Sequence, residues 1–176
     1  MGIQGMVQVY TGNGKGKTTA ALGLALRAAG RGLRTYVAQF MKQGDYGELL
    51  AVRERLADLV TIEQFGLPGF HHQQEGVSAA EVKAAEAGLA AAAVALRGGA
   101  YRVVVLDEIN TLLHFAIVPV AAALRLIEQR PAEVELVLTG RYAPQEVLDR
   151  ADLVTEMKEI RHYYARGVEA RTGIEK

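Results

Sequence analysis

Tyr10-Thr11-Gly12-Asn13-Gly14-Lys15-Gly16-Lys17-Thr18-Thr19 holds the residue types and spacing that most directly suggest chemistry. Glycines let successive backbone N–H groups converge on phosphate oxygens, and a helix starting there adds partial positive charge. Lys17 offers a cation for phosphate, and the Thr18 hydroxyl is suited to Mg²⁺. Thr11 to Thr19 is therefore the candidate nucleotide-binding segment. The generic phosphate loop has glycine, four residues and Gly-Lys-Thr, which would place glycine at position 11; here Thr11 stands there and Gly12 follows. A plain glycine-rich turn before a helix is the alternative reading. A second constellation is Val103-Val104-Val105-Leu106-Asp107-Glu108, an apolar run ending in two carboxylates. It looks like a Walker B strand, with Asp107 and Glu108 as candidate Mg²⁺ ligands, direct or through water. Alone, such a run simply marks a strand end.

These groups meet only if strands and helices bring them to one edge. β-formers at Met6–Tyr10 predict a strand before the glycine-rich segment, and the apolar stripe Ala21, Leu22, Ala25, Ala28, Ala29 predicts a helix from Thr18. Further strands are expected at Thr35–Phe40, Val60–Phe65, Tyr101–Leu106, Glu135–Thr139 and Leu153–Met157. Helices are expected near Glu48–Ala57, from the capping box Ser78-Ala79-Ala80-Glu81, from Pro119 and over Pro144–Ala151. Gly66–Val77 has no usable period and reads as a functional loop. Alternating strands and helices predict an α/β protein with a mostly parallel sheet covered on both faces. Ligands of such sheets bind at the C-terminal edge of the strands, where both constellations fall.

The 176 residues suit one domain spanning 1–176, with neither repeat nor linker. Lys plus Arg and Asp plus Glu are both 20, so the basic excess of a non-specific nucleic-acid binder is missing. Without cysteine, disulfides, thiolate metal sites and a cysteine nucleophile are excluded. The uncharged apolar run Gly88 to Leu96 is well short of the roughly 20 residues of a membrane span. The opening MGIQGMVQVY lacks the features of a signal peptide. A soluble cytoplasmic domain without a processed segment is expected. His114 reads as a satisfied core residue. The pair His71-His72 reads either as a surface loop or as facing a ligand; no nearby acid or histidine completes a metal site.

Five segments together resemble the P-loop type of ATP:corrinoid adenosyltransferase. They are Thr11–Thr19, Gln39-Phe40-Met41-Lys42, Val105-Leu106-Asp107-Glu108-Ile109-Asn110, Thr139-Gly140-Arg141, and the tail from Arg161-His162-Tyr163-Tyr164 to Gly173-Ile174-Glu175. The likeness runs from about Val9 onward, and the Thr-first loop is this family's own form. It implies a RecA-like P-loop fold and transfer of the 5′-deoxyadenosyl group from ATP to a reduced corrinoid, with triphosphate released, in adenosylcobalamin synthesis or salvage. Cobalt(I) is then the nucleophile, which suits a chain with no Ser-His-Asp constellation. The protein's task is to stabilise the leaving triphosphate. Lys17, the Gly14 and Gly16 backbone, and a Mg²⁺ (or Mn²⁺) held by Thr18 and Glu108 would do so. Lys15 and Arg141 are additional candidates, Arg141 also reading as a solvated turn residue; Lys42 and Glu48 carry lesser claims. Phe70 matches an aromatic that presses on the corrin in this family, while His72 stands where the family has tryptophan. The arm that many members fold over the site has little counterpart in the ten residues before Thr11. The resemblance also implies a homodimer, an electron donor such as a flavoprotein, and neither nucleic-acid nor membrane partners. A P-loop small-molecule or nucleoside kinase and a nucleotide-dependent switch or motor remain the rival readings, separable by the phosphate product.

Overall fold

The computed structural model describes residues 4–67 and 76–176. β1 (Val7–Thr11) leads through the glycine-rich loop into α1 (Lys17–Ala29), and β2 (Thr35–Phe40) follows. α2 (Gly47–Ala51) passes into a π-helical turn at Val52–Leu56, and β3 (Val60–Phe65) comes next. After the capping box, α3 (Ala79–Arg97) runs to β4 (Val103–Asp107), with Ser78 and Glu81 satisfying each other's backbone N–H groups as expected. Then come α4 (Ile109–His114), α5 (Val120–Glu128), β5 (Glu135–Thr139), α6 (Gln145–Leu148) and β6 (Leu153–Glu156). A 3₁₀ turn at Tyr163–Arg166 lies in the tail.

Among the described residues, six strands form one sheet in the order β3-β2-β4-β5-β1-β6, every pairing parallel. Successive residues of each central strand point to opposite faces, so the register sorts them into two cores. Val37, Val105 and Val137 are paired across three strands and pack with Ala21, Ala28 and Ala29 of α1. One residue along, Ala38, Leu106, Leu138 and Val9 form a row beneath α3, α4 and α5, with Ala92, Leu96, Leu113 and Ala123 among its partners. Both faces of β4 and β5 are buried, which explains their unbroken apolar runs.

The α/β expectation holds, and β2, β3 and β5 fall where their residues predicted. α4 was not expected. It is six residues long and begins after a left-handed Glu108, with no side-chain cap to announce it. His114, at its end, is exposed rather than in the core: its ring lies 4.4 Å from that of Tyr142 and edge-on to Phe115. Ile109 to Leu113 are all buried, and His114 emerges at the end of the helix.

Candidate active site

The C-terminal ends of β1, β2, β4 and β5 meet along one edge, and the glycine-rich loop closes over it. Its shape depends on the chain leaving β6. The Gly14 N–H donates to the Met157 carbonyl at 2.6 Å, and a Cβ on Gly12 or Gly14 would lie 2.5 or 2.7 Å from that oxygen. Only glycine permits this approach. Lys17 is 6% exposed and folds back on its own loop, donating to the carbonyls of Gly12 at 2.7 Å and Gly14 at 2.8 Å. Burial pushes its ammonium below the ordinary lysine value; Glu108 and Asp107 pull it up, and Arg141 adds to the depression.

Asp107 is fully buried, with its carboxylate oxygens engaged. Oδ1 accepts from the Thr18 hydroxyl at 2.8 Å and the Thr139 hydroxyl at 2.7 Å, while Oδ2 pairs with Lys42 Nζ at 2.7 Å. Lys42 also lies 3.2 Å from Thr18 Oγ1. Burial alone would lower the Lys42 pKa, but the Asp107 carboxylate holds it above the ordinary value. The neighbouring Glu108 has a left-handed backbone at φ 68°. Its N–H donates to Thr139 Oγ1 at 3.0 Å, and its carboxylate accepts from the Thr111 hydroxyl at 2.8 Å. Glu48 accepts from Gln39 at 3.1 Å, which in turn accepts from Gln64 at 3.2 Å.

A cleft of about 500 Å³ opens in front of these groups. Asn13 to Thr19 form its floor, with Lys42, Glu48, Glu108 and Arg141 around it. The tail residues Gly173 to Lys176 form its rim, where Lys15 reaches the Ile174 carbonyl at 3.4 Å and the Glu175 carboxylate at 3.8 Å. Glu175 is held to the tail by Arg171 and by a short hydrogen bond from Tyr163; these contacts lower its pKa to about 2. A second cleft of about 460 Å³ has apolar walls that include Met41, Phe65, Leu112, Phe115 and Ile117. It shares Lys42, Tyr46, Glu108 and Arg141 with the first, so the two adjoin.

Asn13, Gly14, Lys15, Gly16, Lys17, Thr18, Thr19, Glu108 and Arg141 thus come together as the sequence predicts. Thr11, Gly12 and Asp107 do not line the cleft but support it from behind. Thr11 Oγ1 accepts the Ala143 N–H at 3.2 Å, and Gly12 holds Lys17 through its carbonyl. Phe70, His71 and His72 lie outside the described residues. Sequence reasoning assigned no role to Thr111, to the Thr139 hydroxyl or to the tail rim. Thr139 was legible in principle, since a hydroxyl ending a buried apolar strand needs a partner.

A parallel sheet with a glycine-rich loop between its first strand and first helix, and an acid ending a strand two places away, defines a RecA-like P-loop nucleotide-binding protein. The family model for ATP:corrinoid adenosyltransferase BtuR/CobO/CobP matches residues 3–175, and the chain belongs to that family. It is 34% identical over 174 residues to a corrinoid adenosyltransferase of Sinorhizobium, covering 98% of this chain and 80% of that one. With the corrinoid adenosyltransferase of Pseudomonas aeruginosa it shares 34% over 172 residues, covering 98% of this chain and 84% of the other. An uncharacterised protein of Nostoc is 35% identical over 188 residues, which is 97% of this chain; the match spans only half of that longer protein.

Proposed function

We propose that the protein transfers the 5′-deoxyadenosyl group of ATP to the cobalt(I) of a reduced corrinoid. The observation carrying this reading is the pair of adjoining clefts, one polar with a phosphate cradle and one apolar, sharing Lys42, Tyr46, Glu108 and Arg141. The cobalt(I) electron pair forms the Co–C5′ bond as the C5′–O bond breaks, and triphosphate leaves with that bond's electrons. No side chain needs to act as nucleophile.

The chain's work is then orientation and charge. The loop N–H groups and Lys17 face the phosphates, and rotation of Lys17 away from the Gly12 and Gly14 carbonyls would aim its ammonium at them. Lys15 and Arg141 add positive charge from the rim and the shared wall. Such fixed charges stabilise a leaving group without reorganisation during the step. Mg²⁺, or Mn²⁺, fits the donor set: Thr18, Asp107 and Glu108 are hard oxygen donors, and a cation, the Lys42 ammonium, already sits against the first two. Thr18 and Glu108 would hold the metal, with Asp107 behind Thr18, and the metal would neutralise triphosphate charge. Among the described residues no three acidic, histidine or cysteine side chains form a metal cluster, so phosphate oxygens and water would complete its shell.

The apolar cleft would take the corrin face, with Phe70 and His72 bearing on it. The reading includes one domain over 1–176, a homodimer, an external reductant such as a flavoprotein, and a cytoplasmic setting. Among the described residues no helix is long and apolar enough to cross a membrane. Incubation with ATP, Mg²⁺ and chemically reduced cobalamin tests the proposal. Triphosphate and a light-sensitive Co–C product are expected; ADP with a phosphorylated acceptor, or ADP plus phosphate, would overturn it.

A further inference from the structure

Two threonine hydroxyls at the sheet edge make the same pair of contacts. Thr139 donates to the Asp107 carboxylate at 2.7 Å and accepts the Glu108 N–H at 3.0 Å. Thr111 donates to Glu108 Oε2 at 2.8 Å and accepts the Arg141 N–H at 3.1 Å. Thr139 reaches from the end of β5 to both Asp107 and Glu108 at the end of β4, and Thr111 joins the Glu108 carboxylate to the Arg141 N–H just past β5, so together they lace the end of β4 to the end of β5. A threonine hydroxyl can do this because it donates one proton and accepts through its lone pairs.

We propose that Thr111 is a positioning residue for the transfer, setting the Glu108 carboxylate and the Arg141 turn against each other. The inference rests on the roles given above to Glu108 and Arg141. Three features carry it. Thr111 stands one helical turn after Glu108, the spacing at which side chains on a helix meet. It is 8% exposed, so its hydroxyl cannot simply exchange its partners for bulk water. The backbone around it is tightly constrained: Gly140 has φ 131°, and a Cβ there would lie 2.9 Å from the Thr111 nitrogen and 3.0 Å from its hydroxyl oxygen. Tyr142 has φ 58°, and its ring stacks on His114, one further turn along α4. Thus Glu108 just before α4, and Thr111 and His114 within it, all engage the site or the turn carrying Arg141. That turn has little freedom, and the Thr111 hydroxyl joins it to the carboxylate. Glu108 and Arg141 line both clefts, so a shift in this link would disturb the nucleotide and the acceptor sides together.

Thr111→Val keeps the shape and removes the hydroxyl, whereas Thr111→Ser keeps the hydroxyl. Amide exchange at Arg141 should rise in the valine variant and stay near wild type in the serine variant. This readout needs no substrate. With ATP, Mg²⁺ and reduced cobalamin, kcat should fall about 10-fold or more in the valine variant, the usual scale for a hydrogen bond to a charged group. Serine should restore most of it, and a valine variant that unfolds would leave the serine comparison and an alanine variant to decide. Glu108→Gln should cost less in the valine background than in wild type, because both changes act through one carboxylate. Unchanged Arg141 exchange, equal kcat in the valine and serine variants, or additive losses would each overturn the proposal. Wild-type protein that forms no Co–C bond would instead overturn the adenosyl-transfer reading, while the exchange comparison still decides whether Thr111 braces the turn.

Discussion

Lys17 and Thr18 both begin α1, yet they hold different partners: Lys17 its own loop carbonyls, Thr18 the Asp107 carboxylate. Lys17→Ala removes a charge aimed at phosphate, and Thr18→Ala removes a metal donor. Each should lower transfer about 10²–10³-fold with the fold retained, as kcat at saturating ATP and Mg²⁺ will show; wild-type turnover in either would refute the assignment. The two acids should separate. Glu108→Gln weakens a carboxylate on the cleft wall and should raise the Mg²⁺ concentration needed for half-maximal rate, with little change in melting temperature. Asp107→Asn strips the counter-charge from a largely buried Lys42 and should destabilise the fold by on the order of 3 kcal/mol. Metal titration and thermal melts distinguish them; a pure metal effect at Asp107 would reverse the roles. The Thr11–Thr19 segment and the two acids were legible in the sequence because their chemistry is local to a motif. The Lys42–Asp107 pair was not, because it exists only through the pairing of β2 with β4, which sets Gln39 beside Asp107.

At the scale of elements, the tail is braced on itself by charge. Glu175 titrates at about 2 in the folded chain against 4.5 when free, through its bonds to Arg171 and Tyr163. A depressed carboxylate pKa stabilises the tail's own fold fully above the free value, and that stabilisation fades as pH falls from about 4.5 toward 2. Limited proteolysis of the tail should therefore be constant from pH 5 to 8 and increase below 4.5, whereas Glu175→Gln should be susceptible throughout. A flat acid profile in wild type would remove Glu175 as the latch. For the segment holding Phe70, the expectation concerns cobalt. Phe70→Ala should bind ATP normally yet fail to form the four-coordinate cobalt(II) species expected when wild-type protein holds ATP and cobalamin; formation of that species by the variant would take Phe70 out of the mechanism. Elements with strong periods, such as β2, β3 and α3, were readable in advance. α4 and the Val52–Leu56 turn were not, since one follows a strained acid and the other continues α2 without a break in pattern.

Across the whole molecule, alternation of strand and helix predicted the parallel sheet, but not which strands are neighbours. That order follows burial on both faces: β2, β4 and β5, buried almost throughout, occupy the interior with β1, while β6, exposed along its length, takes an edge. The tail has no apolar period, so its place on the cleft rim followed from charge pairing that only the folded chain reveals.

The strand order also bears on synthesis. β1 leaves the ribosome before the other five strands of the sheet, yet its two neighbours are β5 and β6, the last of the six to be made. The loop after β1 is in turn held by the Met157 carbonyl. A nascent chain therefore carries the residues of the phosphate cradle long before it has the cradle itself, and β1 stays without strand partners meanwhile. Chains stalled before Glu135 should not retain a fluorescent ATP analogue, whereas released full-length chains should; retention by stalled chains would mean the loop forms without its neighbours. Because a ligand stabilises only the state that binds it, cellular ATP would favour finished molecules and leave truncated ones to proteolysis.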